Sequence, residues 1–103
     1  MDSLKVSSKS SPSLVAGAIA GIIRERESVV IHAIGAGAVN QAIKAIAAAN
    51  LYLEDDGMSV SCKPAFANAD VGGEIRTAIR ILIERDQMTD LTDIADMSDD
   101  IDG

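Results

Sequence analysis

Aromatic side chains are almost missing from this chain of 103 residues: Tyr52 and Phe66 are the only two, and there is no tryptophan. Surfaces that bind single-stranded nucleic acid by stacking bases on rings need more than this. The core must come from Ala, Val, Ile and Leu, which dominate the 48% of residues that are hydrophobic. Cysteine is reduced to Cys62, which excludes an intrachain disulfide and fits a reducing, cytoplasmic compartment. Its alternation with Met58 and Val60 marks it as a small buried hydrophobe. No apolar run reaches the roughly 20 residues of a membrane span, and the first residues lack a secretory apolar segment. His32 is the only histidine. It lies in a β-branched run rather than beside a nucleophile, so the base–nucleophile pair of an acid–base enzyme is missing. No His/Cys group has zinc spacing, and neither Glu54-Asp55-Asp56 nor Asp99-Asp100-Ile101-Asp102 has the spacing of a calcium loop. The expectation is a non-enzymatic chain with no catalytic residues, metal or cofactor.

Positive charge is absent from one part of the chain. Residues 1–85 hold all nine Lys and Arg and nine acids, and are neutral. Residues 86–103 hold seven Asp and no base, so they supply the whole net charge of −7. One domain over 1–85 and an acidic tail over 86–103 is the expected organisation, the tail having the composition of a disordered, solvating segment.

What is present is hydrophobic periodicity. Leu4 to Ser7 reads as a strand, and Ser11-Pro12 as the cap and first turn of a helix running to about Arg26. Its apolar stripe is Val15, Ala18, Ile19, Ile22 and Ile23. The small pairs Ala16/Ala20 and Gly17/Gly21 are expected to let a neighbouring backbone approach. Val29 to Ile34 is a second strand, and Ala38 to about Leu53 a second helix with Val39, Ala42, Ile43 and Ile46 at helical spacing. Met58 to Phe66 and about Gly73 to Glu84 are strands, with a small polar connection between them. The order β-α-β-α-β-β predicts an α/β sandwich: two helices on one face of a four-stranded mixed sheet, its first two strands parallel and its last two an antiparallel hairpin.

Chemistry follows from that layout. The glycine turn Gly35-Ala36-Gly37 ends a strand and opens a helix, leaving the first helical N–H groups free for an anion. Both helices start at the carboxyl ends of parallel strands, so the Ser8-Lys9-Ser10-Ser11 loop should stand beside the glycine turn. One offers an ammonium and hydroxyls, the other backbone N–H groups. Strand alternation further predicts Lys5, His32, Lys63, Arg76 and Arg80 on the sheet face without helices.

Taken together, Leu4-Lys-Val-Ser-Ser-Lys-Ser-Ser-Pro12, Val15-Ala-Gly-Ala-Ile-Ala-Gly21, Arg24-Glu-Arg26, Ala33-Ile-Gly-Ala-Gly-Ala-Val-Asn-Gln-Ala-Ile-Lys-Ala-Ile-Ala47, Pro64-Ala-Phe66, Gly73-Glu74 and Arg76-Thr-Ala-Ile79 resemble the stage V sporulation protein S family. The resemblance covers residues 4 to about 84. It implies an Alba-like fold, a regulatory nucleic-acid-binding role linked to late sporulation, and dimerisation. By motif, Lys9 is similar to the lysine in the loop after the first strand of Alba proteins, where nucleic acid is approached. Asn40 and Gln41 stand where Alba helices often carry bases.

The leading expectation is a sequence-tolerant nucleic-acid binder that forms homodimers or larger homo-oligomers. Phosphate contacts would come from Lys9, Ser10, Asn40, Lys44, Arg76, Arg80 and the backbone at Gly35 and Gly37. A neutral domain predicts weak binding with a small salt slope. The alternative is an oligomeric protein-interaction module of the same fold that binds no nucleic acid.

Overall fold

The segment Ser28-Val-Val-Ile-His-Ala33 organises the molecule through its alternation. In the computed structural model, which describes residues 2–86, it forms β2 (Ser28–Ala33) with Val29, Ile31 and Ala33 buried on one face. Strand β1 (Ser3–Val6) runs parallel to it, Leu4 beside Ile31 and Val6 beside Ala33. A parallel pair needs a crossover, and α1 (Pro12–Glu25) supplies it. The Ser11 hydroxyl accepts from the Leu14 N–H at its start, with Pro12 in the first turn where no N–H is missed.

Helix α2 (Ala36–Leu53) follows β2 and ends in a single 3-10 turn, Glu54–Asp56, that sends the chain back to the sheet. Strands β3 (Val60–Val71) and β4 (Glu74–Arg85) then pair as an antiparallel hairpin over their whole length. The turn is Gly72-Gly73, both at positive φ, as a two-residue hairpin turn with matching twist requires. The sheet order is β1-β2-β4-β3, with β4 antiparallel to both neighbours. The sheet is thus mixed and four-stranded, as the element order predicts.

Both helices pack on one face of it. The core joins Ile19 and Ile23 of α1, Ala42, Ala45, Ile46, Ala49 and Leu53 of α2, and Val6, Val29, Ile31, Ile81 and Ile83 of the sheet. Removing the side chain of a fully buried isoleucine such as Ile31 costs about 2–5 kcal/mol, because the void does not fully collapse.

Several details depart from the sequence reading. The buried stripe of α1 passes through Ala16 and Ala20, while Ala18 is exposed. Gly17 and Gly21 face open space, with nothing within 4 Å of a Cβ built on either, so they do not admit a neighbouring backbone. The alanine pair has that role instead, since both of its members are buried. Helix α2 starts at Ala36, two residues early. Strand β3 runs on to Val71, because a hairpin satisfies its own backbone hydrogen bonds without a core beneath it. Cys62 is exposed rather than buried. It shares the helix-side face with its register partner Ile83, but β3 is an edge strand, buried at Val60 and uncovered beyond it.

Candidate nucleic-acid interface

The loop after β1 is a self-bonded turn. The Ser10 N–H donates to the Ser7 carbonyl at 3.1 Å, and the Ser7 N–H donates to Ser10 Oγ at 2.9 Å. The Lys9 N–H donates to Ser7 Oγ at 3.2 Å. These bonds occupy the loop's interior and leave the Lys9 side chain exposed. The loop is also tied to α2: Gln41 Nε2 donates to the Ser10 carbonyl at 2.9 Å.

Gly35 caps the N-terminus of α2 with φ 92° and ψ 158°, and no side chain closes that end. Only glycine adopts such a conformation without strain. Two residues on, a Cβ built at Gly37 would lie 2.9 Å from Ser8 Cβ, so that glycine lets the loop and the helix start touch. Lys9, Ser10, Gly35 and Gly37 therefore share one edge of the molecule, where free helical N–H groups stand beside an ammonium.

The other predicted residues are spread more widely. Asn40 is exposed on α2 and borders an apolar depression with Val39, Ile43, Phe66 and Ile79. Lys44 is exposed further along α2, ~12 Å from the helix start by the rise per residue. Arg76 pairs with Ala69 in the outer part of the hairpin. Arg80 lies in the body of the sheet, where register sets Lys5, His32 and Arg80 side by side across β1, β2 and β4. Lys63, beside Leu82, shares that open face.

One feature escaped the sequence reading, the length of the hairpin. Strand β2 meets β4 only from Ile79 to Glu84, so residues 66–78 form an arm beyond the body, at the edge that carries Lys9 and Gly35. The alternation of Ala67, Ala69 and Val71 is its one signal. Charge segregation, in contrast, is legible in the sequence, which sets Glu25, Glu27 and Glu54 to Asp56 at helix ends. Among the described residues the ion pairs are Arg24–Asp56, Arg26–Asp2 and Arg85–Glu27. All lie at the end of the molecule opposite the glycine turn, together with Glu25, Glu54, Asp55 and Glu84. Lys5, Lys9, Arg76 and Arg80 are left without an acidic partner among the described residues. Asp70 and Glu74 stand at the tip of the arm, so the end that carries Lys5, Lys9, Arg76 and Arg80 has an excess of positive charge rather than being free of acids. Among the described residues no helix is long and apolar enough to cross a membrane, and no group of three or more His, Cys, Asp or Glu could hold a metal ion. The acidic stretch 87–103 lies outside the described residues.

Among solved structures, the chain is similar to Alba from Thermoplasma volcanium. The superposition has a TM-score of 0.57 at 11% sequence identity and covers 84% of this chain and all of that one. At that identity the likeness defines the fold class alone, an Alba-like α/β sandwich. The particular family comes from sequence: a family model described as stage V sporulation protein S matches residues 2–86. The chain belongs to the stage V sporulation protein S family.

Proposed function

We propose that this protein is a non-enzymatic, cytoplasmic regulator that binds nucleic acid through its phosphates, in the sporulation-related setting that the family name supports. The observation that carries the reading is the packing of the Lys9 loop on the N-terminus of α2, so close that a Cβ at Gly37 would lie 2.9 Å from Ser8 Cβ. It puts a free cation and free backbone N–H donors on one edge, with Arg76 on the arm beside them. Phosphates are drawn to such an edge whatever the base sequence. Few cations converge there, so affinity is modest and falls as salt rises.

The test is a mobility-shift titration of random duplex DNA and RNA at low salt, repeated as salt increases. The expected result is a shift that fades with salt and disappears in Lys9→Glu, while the variant keeps the parent melting temperature. An unchanged shift in Lys9→Glu removes this edge as the site.

A second reading, assembly through protein contacts, has its own observation. Phe66 is 83% exposed and Ile43 50% exposed on either side of the apolar depression between α2 and the arm. Exposed large apolar groups clustered in this way mark contact surfaces. A second copy of the chain is the occupant we propose, giving a homodimer or a larger homo-oligomer. Light scattering that returns a monomer at high concentration would reject this.

A further inference from the structure

On the sheet face away from the helices, the arm and the serine loop enclose a groove of about 890 Å³. Its shape comes from the hairpin. Ala78 points to the open face, since its neighbours Ile79 and Ile81 alternate toward the helices. It is nevertheless only 4% exposed. The arm residue beside it, Ala67, and Ile34 from the end of β2 line the groove with it. The volume lies within the range of small-molecule sites.

The two ends of the groove differ in chemistry. Lys5, His32 and the loop serines form one wall, while Ala67, Ala69 and Ala78, on the open face of the arm itself, form an apolar floor. Lys5 and His32 are cross-strand neighbours on β1 and β2. Among the described residues neither side chain makes a hydrogen bond or ion pair, and the Ser8 hydroxyl is also free. Asp70 is the one acid on the border. Alternation turns its side chain to the other face of the arm, and its Oδ1 accepts from the Gly73 N–H at 2.9 Å. No carboxylate therefore faces the Lys5 wall.

We infer that this groove binds a nucleoside phosphate, with the phosphate against Lys5, His32 and Ser8 and the base lying on the alanine floor. A phosphate monoester offers several acceptor oxygens to that donor set, more than a lone carboxylate can. A shallow floor of methyl groups fits the face of a planar ring, and is too open to sheath an alkyl chain. An unpaired nucleotide within a strand offers the same base and a phosphodiester, which keeps two free oxygens for the same donors. The groove shares the serine loop with the edge at Lys9 and Gly35 but takes its cation from Lys5 on the sheet, and the inference does not depend on the reading given above.

The experiment is a ¹H–¹⁵N titration of the full chain with AMP, adenosine, inorganic phosphate and a short single-stranded oligoadenylate. AMP is expected to saturate, moving the amides of Lys5, His32, Ala67 and Ala78. Adenosine and phosphate alone should bind at least about tenfold more weakly, each lacking half of the contacts. Lys5→Gln, at an exposed position, should weaken AMP about tenfold through one lost charge-assisted bond. Ala67→Leu, which fills the floor, should abolish it, and Lys9→Glu should leave it unchanged. Oligoadenylate binding tighter than AMP at the same amides assigns the groove to nucleotides within a strand, and equal or weaker binding assigns it to the free nucleotide. Either result supports the site. AMP shifts confined to Gly35–Gly37, or AMP affinity unchanged in both Lys5→Gln and Ala67→Leu, would overturn the inference.

Discussion

Asn50 on α2 holds the first residue of β3 by both ends of its side-chain amide. Its Oδ1 accepts from the Val60 N–H at 2.8 Å, and its Nδ2 donates to the Val60 carbonyl at 3.5 Å. A helix side chain thus acts as the missing strand partner where β3 leaves the turn. Asn50→Ala strands the N–H of Val60, a residue only 6% exposed. The expected cost is about 1–3 kcal/mol, read as a fall in melting temperature of ~4–8 °C per kcal/mol for a domain of this size. Asn50→Asp keeps the acceptor and loses the donor, and should fall between parent and alanine variant.

The glycine turn should be intolerant at two positions for different reasons. Gly35→Ala meets no atom within 4 Å but forces alanine to φ 92°, at about 1–3 kcal/mol. Gly37→Ala is conformationally permitted in a helix but drives its methyl against Ser8. Gly37→Ala in a Ser8→Gly background should recover most of the loss, whereas Gly35→Ala in that background should not. Thermal denaturation of the single and paired variants distinguishes a backbone effect from a contact effect.

If the chain assembles as proposed, Phe66→Asp is expected to convert that oligomer to a monomer without lowering the monomer's own helical signal. The ring contributes little to the core of its own chain, being 83% exposed, so the substitution acts on assembly. Sedimentation velocity over a range of concentrations is the measurement. If the mass is the same for parent and variant, assembly does not use this patch.

Deleting residues 87–103 should strengthen nucleic-acid binding, most clearly at low salt. That segment carries six Asp and no base, and a tethered acidic chain competes with phosphate at high effective concentration. Asp86 is kept because it belongs to the folded part. Its carboxylate accepts from Ser59 Oγ at 2.8 Å, and its N–H donates to the Ser59 carbonyl at 2.9 Å. Equal affinities for the two chains would limit the tail to solubility or partner docking.

The residues themselves determined the element order, the parallel first pair and the final hairpin. Those follow from local causes: β-branched runs such as Val29 to Ile34, the Ser11-Pro12 helix start, and two glycines at the hairpin tip. They also placed the Lys9 loop beside the Gly35 turn, since both helices start at the carboxyl ends of the parallel strands β1 and β2. Tertiary structure alone decided which apolar residues were covered. Cys62 and Phe66 lie on the same sheet face as buried Ile83 and Ile81, yet the helices cover β3 only at its start, where Val60 is buried, so both remain exposed. Ala78 became buried on the open face although no helix lies there, with Ala67 of the paired strand and Ile34 from the end of β2 lining the groove beside it. Burial depends on what stands opposite a side chain, and alternation along a strand specifies only the direction in which that side chain points.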